Sequence, residues 1–256
     1  MSDAAARGIL VEMFAAAVAG ADPGAATAAA LARRPLHAAA GRRVWLMAAG
    51  KAAPAMAAVA VRALEGPGRP TLAGGVVIAA QPAPSPHPAL ELVVGDHPVP
   101  AGASRVAAME IAAMVARMGI DDQALVLLSG GATSLMAAPV TGIDTADVAV
   151  LFTRLLGAGV DIGVMNQVRK RVLRWAGGRL AVALAPSPVR CLLVSDVAGD
   201  DPATIASGPC EPDPLTASAV LDLIERMRLQ AATPPAIRAY LAAVARGAAP
   251  ETPKPG

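Results

Sequence analysis

Aromatic residues are nearly missing, with two Phe, one Tyr and two Trp in 256 residues. That leaves little material for stacking under nucleic-acid bases, and a formal net charge of +2 gives no reason to expect nucleic acid or an acidic membrane surface as a partner. Cysteine is scarce as well. Cys191 lies in an apolar run and Cys210 in a loop, and without C-x-x-C spacing the two suggest neither a disulfide framework nor a zinc site, so free thiols are expected. Charged residues make up only 16% of the chain against 55% hydrophobic. Much of that apolar fraction is alanine, which favours helix without demanding burial, and the expectation is a helix-rich α/β chain. A long uncharged stretch, 124–143, is interrupted by Gly130-Gly131, Thr133-Ser134 and Pro139, which argues against a membrane span. Met1-Ser2-Asp3-Ala4 has no basic start leading into an apolar stretch, so no signal peptide is expected and cytoplasm is the expected compartment.

What is present is a series of short apolar runs that empty into small polar loops. Ala124-Leu125-Val126-Leu127-Leu128 suits a strand buried on both faces of a parallel sheet, and Ser129-Gly130-Gly131-Ala132-Thr133-Ser134 follows it. Loops after such strands are where open α/β sheets bind ligands. Paired glycines admit close backbone approach, and Ser129, Thr133 and Ser134 add hydroxyls, so the loop reads as a phosphate cradle or as a tight turn needing glycine for geometry alone. A second strand is expected over 43–48, followed by Gly50-Lys51 at the start of an alanine-rich helix. Lysine in a first helical turn opposes the macrodipole, and a bound anion would resolve the conflict; a solvated surface lysine is the alternative. This is not a P-loop, because the upstream glycine is missing and Ala52 stands where a magnesium-binding hydroxyl is needed.

Further strands are expected over 75–79 and 189–194. The run Leu92-Val93-Val94 leads to Gly95-Asp96-His97-Pro98-Val99-Pro100, where His97 is a substrate contact or a packed loop residue, and the strand over 189–194 empties into Ser195-Asp196-Val197-Ala198-Gly199-Asp200-Asp201. A carboxylate immediately after a buried strand is placed to ligate Mg²⁺ or to accept a hydroxyl proton; a solvated acidic turn is the alternative. A helix capped by Thr145 carries the stripe Val148, Leu151, Phe152 and Leu155. The next, from Asp161 to about Trp175, places Asn166, Arg169 and Lys170 at i, i+3, i+4 on one face, either a phosphate or carboxylate site or a solvated surface.

In order along the chain, Gly50-Lys51-Ala52-Ala53, Gly95-Asp96-His97-Pro98-Val99-Pro100, Leu128-Ser129-Gly130-Gly131, Asn166-Gln167-Val168-Arg169-Lys170, Gly177-Gly178-Arg179-Leu180-Ala181, Ser195 to Asp201 and Ile205-Ala206-Ser207-Gly208-Pro209 resemble the N-terminal domain of the MOFRL-type glycerate kinases. Where the family usually has a third glycine and a serine this chain has Ala132 and Thr133, and Arg171, Leu173 and Cys210 also depart from its pattern. The resemblance implies a Rossmann-like, doubly wound, mostly parallel sheet with helices on both faces. It implies an α/β domain over 1–249, with 250–256 beginning a linker to a C-terminal domain. It further implies ATP- and Mg²⁺-dependent phosphorylation of glycerate at its 2-hydroxyl, with glycerate and nucleotide as partners and an oligomer left open. Carried over residue by residue, Lys51 and Asp196 would be catalytic, with Asp196 and Asp200 at the metal. Ser129, Gly130, Gly131, Thr133 and Ser134 would hold nucleotide phosphates, and His97, Asn166, Arg169 and Lys170 the substrate. Two other readings stand beside it: a nicotinamide-dependent hydroxypyruvate reductase, disfavoured by the lack of a strand-linked G-x-G-x-x-G, and a catalytically silent ligand-binding domain.

Overall fold

Strand formation follows the apolar runs. A computed structural model describes residues 3–36 and 42–256. Two helices, α1 (Asp3–Gly20) and α2 (Pro23–Arg33), precede β1 (Arg43–Ala49), α3 (Ala53–Leu64), β2 (Thr71–Ala79) and β3 (Leu90–Val94). Then come α4 (Gly102–Arg117), β4 (Gln123–Leu128), the single turn α5 (Ala132–Leu135), α6 (Thr145–Gly157), α7 (Ile162–Val172), α8 (Arg179–Leu184) and β5 (Val189–Leu193). A 3₁₀ turn at Ile205–Ser207, α9 (Ala217–Arg226) and α10 (Pro235–Ala245) complete the described chain. The sheet is parallel throughout in the order β3-β2-β1-β4-β5. This is the expected α/β architecture, and the strand order reverses between β1 and β4.

Alternation along the strands divides the core between the two faces. Trp45, Met47, Val126 and Leu128 pack with Ile111 and Met114 of α4 and Leu180 and Leu184 of α8. Val44, Leu46, Leu125 and Leu127 pack on the other face with Met56, Ala57, Ala60 and Val61 of α3 and Leu31 of α2. A third cluster joins α6, α7, α9 and α10 through Leu151, Phe152, Val168, Val220 and Leu241. Among the described residues, no single helix is long and apolar enough to cross a membrane. None of the residues of α1 is buried.

Two helix boundaries differ from the sequence reading. Asp144, rather than Thr145, caps α6 by accepting from the Ala146 amide at 3.0 Å. Helix α7 stops at Val172, short of Trp175, because Leu173 takes extended backbone and bridges to Pro139. The C-terminal residues are pinned rather than free. Asp213 N–H donates to the Pro253 carbonyl at 2.8 Å, and Glu251 and Thr252 both meet the buried Arg171 guanidinium.

At the opposite end of the sheet from the loops after β1 and β4, Asp122 accepts from Arg43 Nε and Nη2 at 2.9 Å each and from Trp45 Nε1 and the Gly119 amide at 2.8 Å each. Burial pushes its carboxyl pKa up, but the Arg43 hydrogen bond, the amide, the indole and the Arg43 charge together hold it below the ordinary carboxylate value. A depressed pKa contributes stability above the unfolded-state value, and that contribution is lost as pH falls through the folded-state value. The urea midpoint difference between wild type and Asp122→Asn is therefore expected to be large at neutral pH and to shrink in acid below about pH 4. A difference independent of pH contradicts the assignment.

Candidate active site

Register brings the candidate residues together. Ala49 pairs with Leu128, and Leu128 with Leu193, so β1, β4 and β5 end level with one another. Two residues past that row stand Lys51, Gly130 and Ser195, with Asp196 one further on. The outer two loops are separated by two strand spacings, about 10 Å, with the glycine loop between them. This is the crevice at the topological switch point, the general ligand site of open α/β sheets.

Backbone bonds lock the loops to each other. The Lys51 amide donates to the Gly130 carbonyl at 2.9 Å, the Ser129 amide to the Ala49 carbonyl at 3.0 Å, and the Ala52 amide to Ser129 Oγ at 3.0 Å. Ser129 is thus a buried staple between two loops rather than a phosphate contact, which corrects its expected role. Gly131 has φ +88°, and a Cβ on it would come 3.1 Å from His97 Cδ2 and 3.5 Å from Lys51 Cγ, so the imidazole and the lysine stem lie against its Cα. A Cβ on Gly130 would collide with the Asp196 carboxylate. The acid is seated on the Gly130 Cα, and a side chain there would displace it. The amides of Gly130 and Gly131 donate to no group among the described residues.

Lys51, His97, Gly130, Gly131, Thr133, Ser134, Asn166, Arg169 and Asp196 line one cleft of about 230 Å³, together with Phe152, Leu156, Ile162, Val197, Thr204 and Ala206. Burial and then the Lys51 charge lower the His97 pKa, which favours neutral imidazole in the cleft. Thr133 Oγ1 lies 3.1 Å from Ser207 Oγ, tying the glycine loop to the 3₁₀ turn, and Ser134 Oγ donates to the Gly131 carbonyl at 3.3 Å.

Two expected residues lie elsewhere. Lys170 turns away, its Nζ donating to the Ala203 carbonyl at 3.1 Å and lying 3.9 Å from Asp213 Oδ1. A buried carboxylate contributed from a remote segment draws it off the cleft. Asp200 sits in the following turn at φ 51° and does not line the cleft. No group of three or more His, Cys, Asp or Glu among the described residues could hold a metal ion. The donor set fits a Mg²⁺ that arrives on a nucleotide and borrows one carboxylate, a common mode for this ion, and does not fit a protein-built cage. Sequence reasoning missed the apolar wall, because Phe152 in a helical stripe gives no sign that its ring also faces a cationic side chain.

Gly130→Ala forces the Asp196 carboxylate aside while leaving the strands untouched. It is expected to lower kcat/KM by about 100-fold, the scale of a roughly 1 Å misplacement, with little change in melting temperature. Unchanged kcat/KM contradicts the seating described above.

Comparison with known proteins gives the family and the fold. The family model described as domain of unknown function DUF4147 matches residues 9–242. The chain is 37% identical over 255 residues to an Agrobacterium vitis protein provisionally named hydroxypyruvate reductase, covering 100% of this chain and 55% of that one. It is 35% identical over 188 residues to the D-glycerate 2-kinase of Thermotoga maritima, covering 73% and 44%. The crystal structure of Thermotoga maritima glycerate kinase superposes with a TM-score of 0.80 at 30% identity, covering 98% of this chain and 56% of that one. This chain therefore spans about half the length of the relatives it matches. It belongs to the DUF4147 family, the N-terminal domain of the MOFRL-type glycerate kinases.

Proposed function

We propose that this domain carries the phosphoryl-transfer site of an ATP-dependent glycerate 2-kinase. The observation that supports the reading is the convergence of Lys51 and Asp196 on either side of the Gly130-Gly131 loop at the switch point. ATP with Mg²⁺ supplies the transferring phosphoryl group when bound. The free Gly130 and Gly131 amides and the Lys51 ammonium would hold its phosphate oxygens, and preorganised donors of that kind stabilise the charge that builds up during transfer. Asp196 would orient the acceptor hydroxyl and take its proton. The relatives' names, glycerate 2-kinase and glycerate kinase among them, support the same acceptor.

The test is a coupled ADP-release assay with Mg-ATP and glycerate, run on this chain alone and joined to the remaining part of the Thermotoga relative. Glycerate-dependent ADP release from the joined protein is the expected result, with ³¹P NMR of the product showing the 2-phosphate. Hydroxypyruvate-dependent NADH oxidation without ADP release contradicts it and favours the reductase reading.

A further inference from the structure

Helix α1 is at odds with its own composition. It carries Ile9, Leu10, Val11, Met13, Phe14 and Val18 against three charged side chains, Asp3, Arg7 and Glu12, and a helix apolar around most of its circumference is normally a buried one. None of its residues is buried, and Leu10, Met13 and Phe14, which share a face by their i, i+3, i+4 spacing, are 65%, 63% and 71% exposed. An open apolar face of this extent marks an interaction surface.

The position of α1 says what covers it. Helix α2 runs parallel to α3: Gly24, near its start, faces Val59 and the Ala55 carbonyl, while the Ala30 carbonyl, nearer its end, accepts from Arg190 at the beginning of β5. Because α3 starts at the Lys51 loop, α2 also starts at the cleft end of the sheet. The axes of α1 and α2 differ by 40°, so α1 carries on past that end for about 27 Å instead of folding back over α3. Thr252 and Pro253 lie on the cleft side as well, against Gly177 and Gly178, whose amides donate to the Ser207 and Gly208 carbonyls in the segment that also gives Thr204 and Ala206 to the cleft wall. The relatives are nearly twice as long as this chain, and their additional half follows from that point. We infer that α1 is a docking arm for a C-terminal domain of the kind the relatives carry, which seats an apolar face on Leu10, Met13 and Phe14. A lipid surface is the poorer occupant, because Arg7 is the one cation on α1 and membrane-surface helices carry Lys and Arg along their polar face. A second copy of the chain accounts for the apolar face but not for its place at the cleft end.

The experiment is amide hydrogen exchange of α1, read by mass spectrometry, in this chain alone and joined to the remaining part of the Agrobacterium vitis relative. The amides of β4, buried in both proteins, are the folding control. In the chain alone α1 exchanges close to the rate of an unstructured peptide at every protein concentration, since helices in proteins owe most of their stability to packing. In the joined protein its exchange slows by roughly 100-fold as it enters a cooperatively packed unit. The double variant Leu10→Ser, Phe14→Ser returns α1 of the joined protein to the fast rate with β4 still protected, and leaves the melting temperature of the chain alone unchanged. Fast exchange of α1 in the joined protein overturns the proposal, as does slowing that survives the double variant. Slowing in the chain alone that grows with protein concentration assigns the face to a second copy instead, and slowing on addition of phosphatidylcholine–phosphatidylglycerol vesicles assigns it to lipid; either result overturns the docking arm. The readout is independent of turnover, so its failure and that of the kinase reading are separate.

Discussion

Asp196→Asn is expected to lower glycerate-dependent ADP release by roughly 10²- to 10⁴-fold, the range for removing a positioned general base, while the melting temperature stays within a degree or so of wild type. The two halves of the expectation have separate grounds. Asp196 is exposed on the cleft wall and makes no hydrogen bond among the described residues, so exchanging one carboxylate oxygen for an amide removes no folded-state partner. Asn is nearly the same size and keeps its seat on the Gly130 Cα. What it lacks is a lone pair basic enough to take the acceptor proton. The loss should appear mainly in kcat, since an interaction realised during transfer is not felt equally by the bound ground state. Near-normal turnover would refute Asp196 as the base.

The second large effect concerns stability. Asp213 lies 3.1 Å from Arg171 Nη2 and accepts from Thr252 Oγ1 at 3.3 Å, both acid and guanidinium being almost wholly buried. Removing one partner of a buried pair costs about 3–5 kcal/mol because the other charge stays behind. Glu251, which also meets Arg171, offsets part of that cost, so Asp213→Ala is placed at the lower end, about 3 kcal/mol. For a chain of this size that corresponds to roughly 6–12 °C in melting temperature. The network joins α7 to residues 251–254, and α7 carries Asn166 and Arg169, so loosening it should also weaken acid binding. The double variant Asp213→Ala, Arg171→Met is expected to regain part of the loss, since the Arg171 guanidinium is no longer left unpaired while Lys170 still lacks its Asp213 partner. A loss under 1 kcal/mol for the single variant, by urea unfolding, contradicts this account of what holds α7 in place.

Much of this was legible in the residue order. Apolar runs emptying into glycine, hydroxyl and acid located β1, β4 and β5 and the three loops that follow them, because burial on both faces of a parallel sheet leaves a continuous hydrophobic signature. Cleft membership was legible for Lys51, His97, Gly130, Gly131, Thr133, Ser134, Asn166, Arg169 and Asp196. The shortfall came where distant segments compete for a side chain. Arg169 and Lys170 share a helix face by spacing, yet Asp213, from beyond β5, draws Lys170 one way while Phe152 holds Arg169 the other. Ser129 looked like a ligand hydroxyl because nothing local reveals that the Ala52 amide, on another strand's loop, arrives level with it. Leu173 looked helical until its bridge to Pro139 was in place.

In the proposed site, triphosphate sits over the glycine loop between Lys51 and Asp196. The direct measurement is an amide NMR titration of the chain with Mg-ATP. Resonances of Lys51, Gly130, Gly131 and Thr133 should shift together and saturably, and the response should weaken at least tenfold in concentration in Lys51→Ala, about the scale of one charged contact. Shifts gathered instead around Asp122 and Ser187, at the far end of the sheet, or none at Gly130 and Gly131, would contradict it.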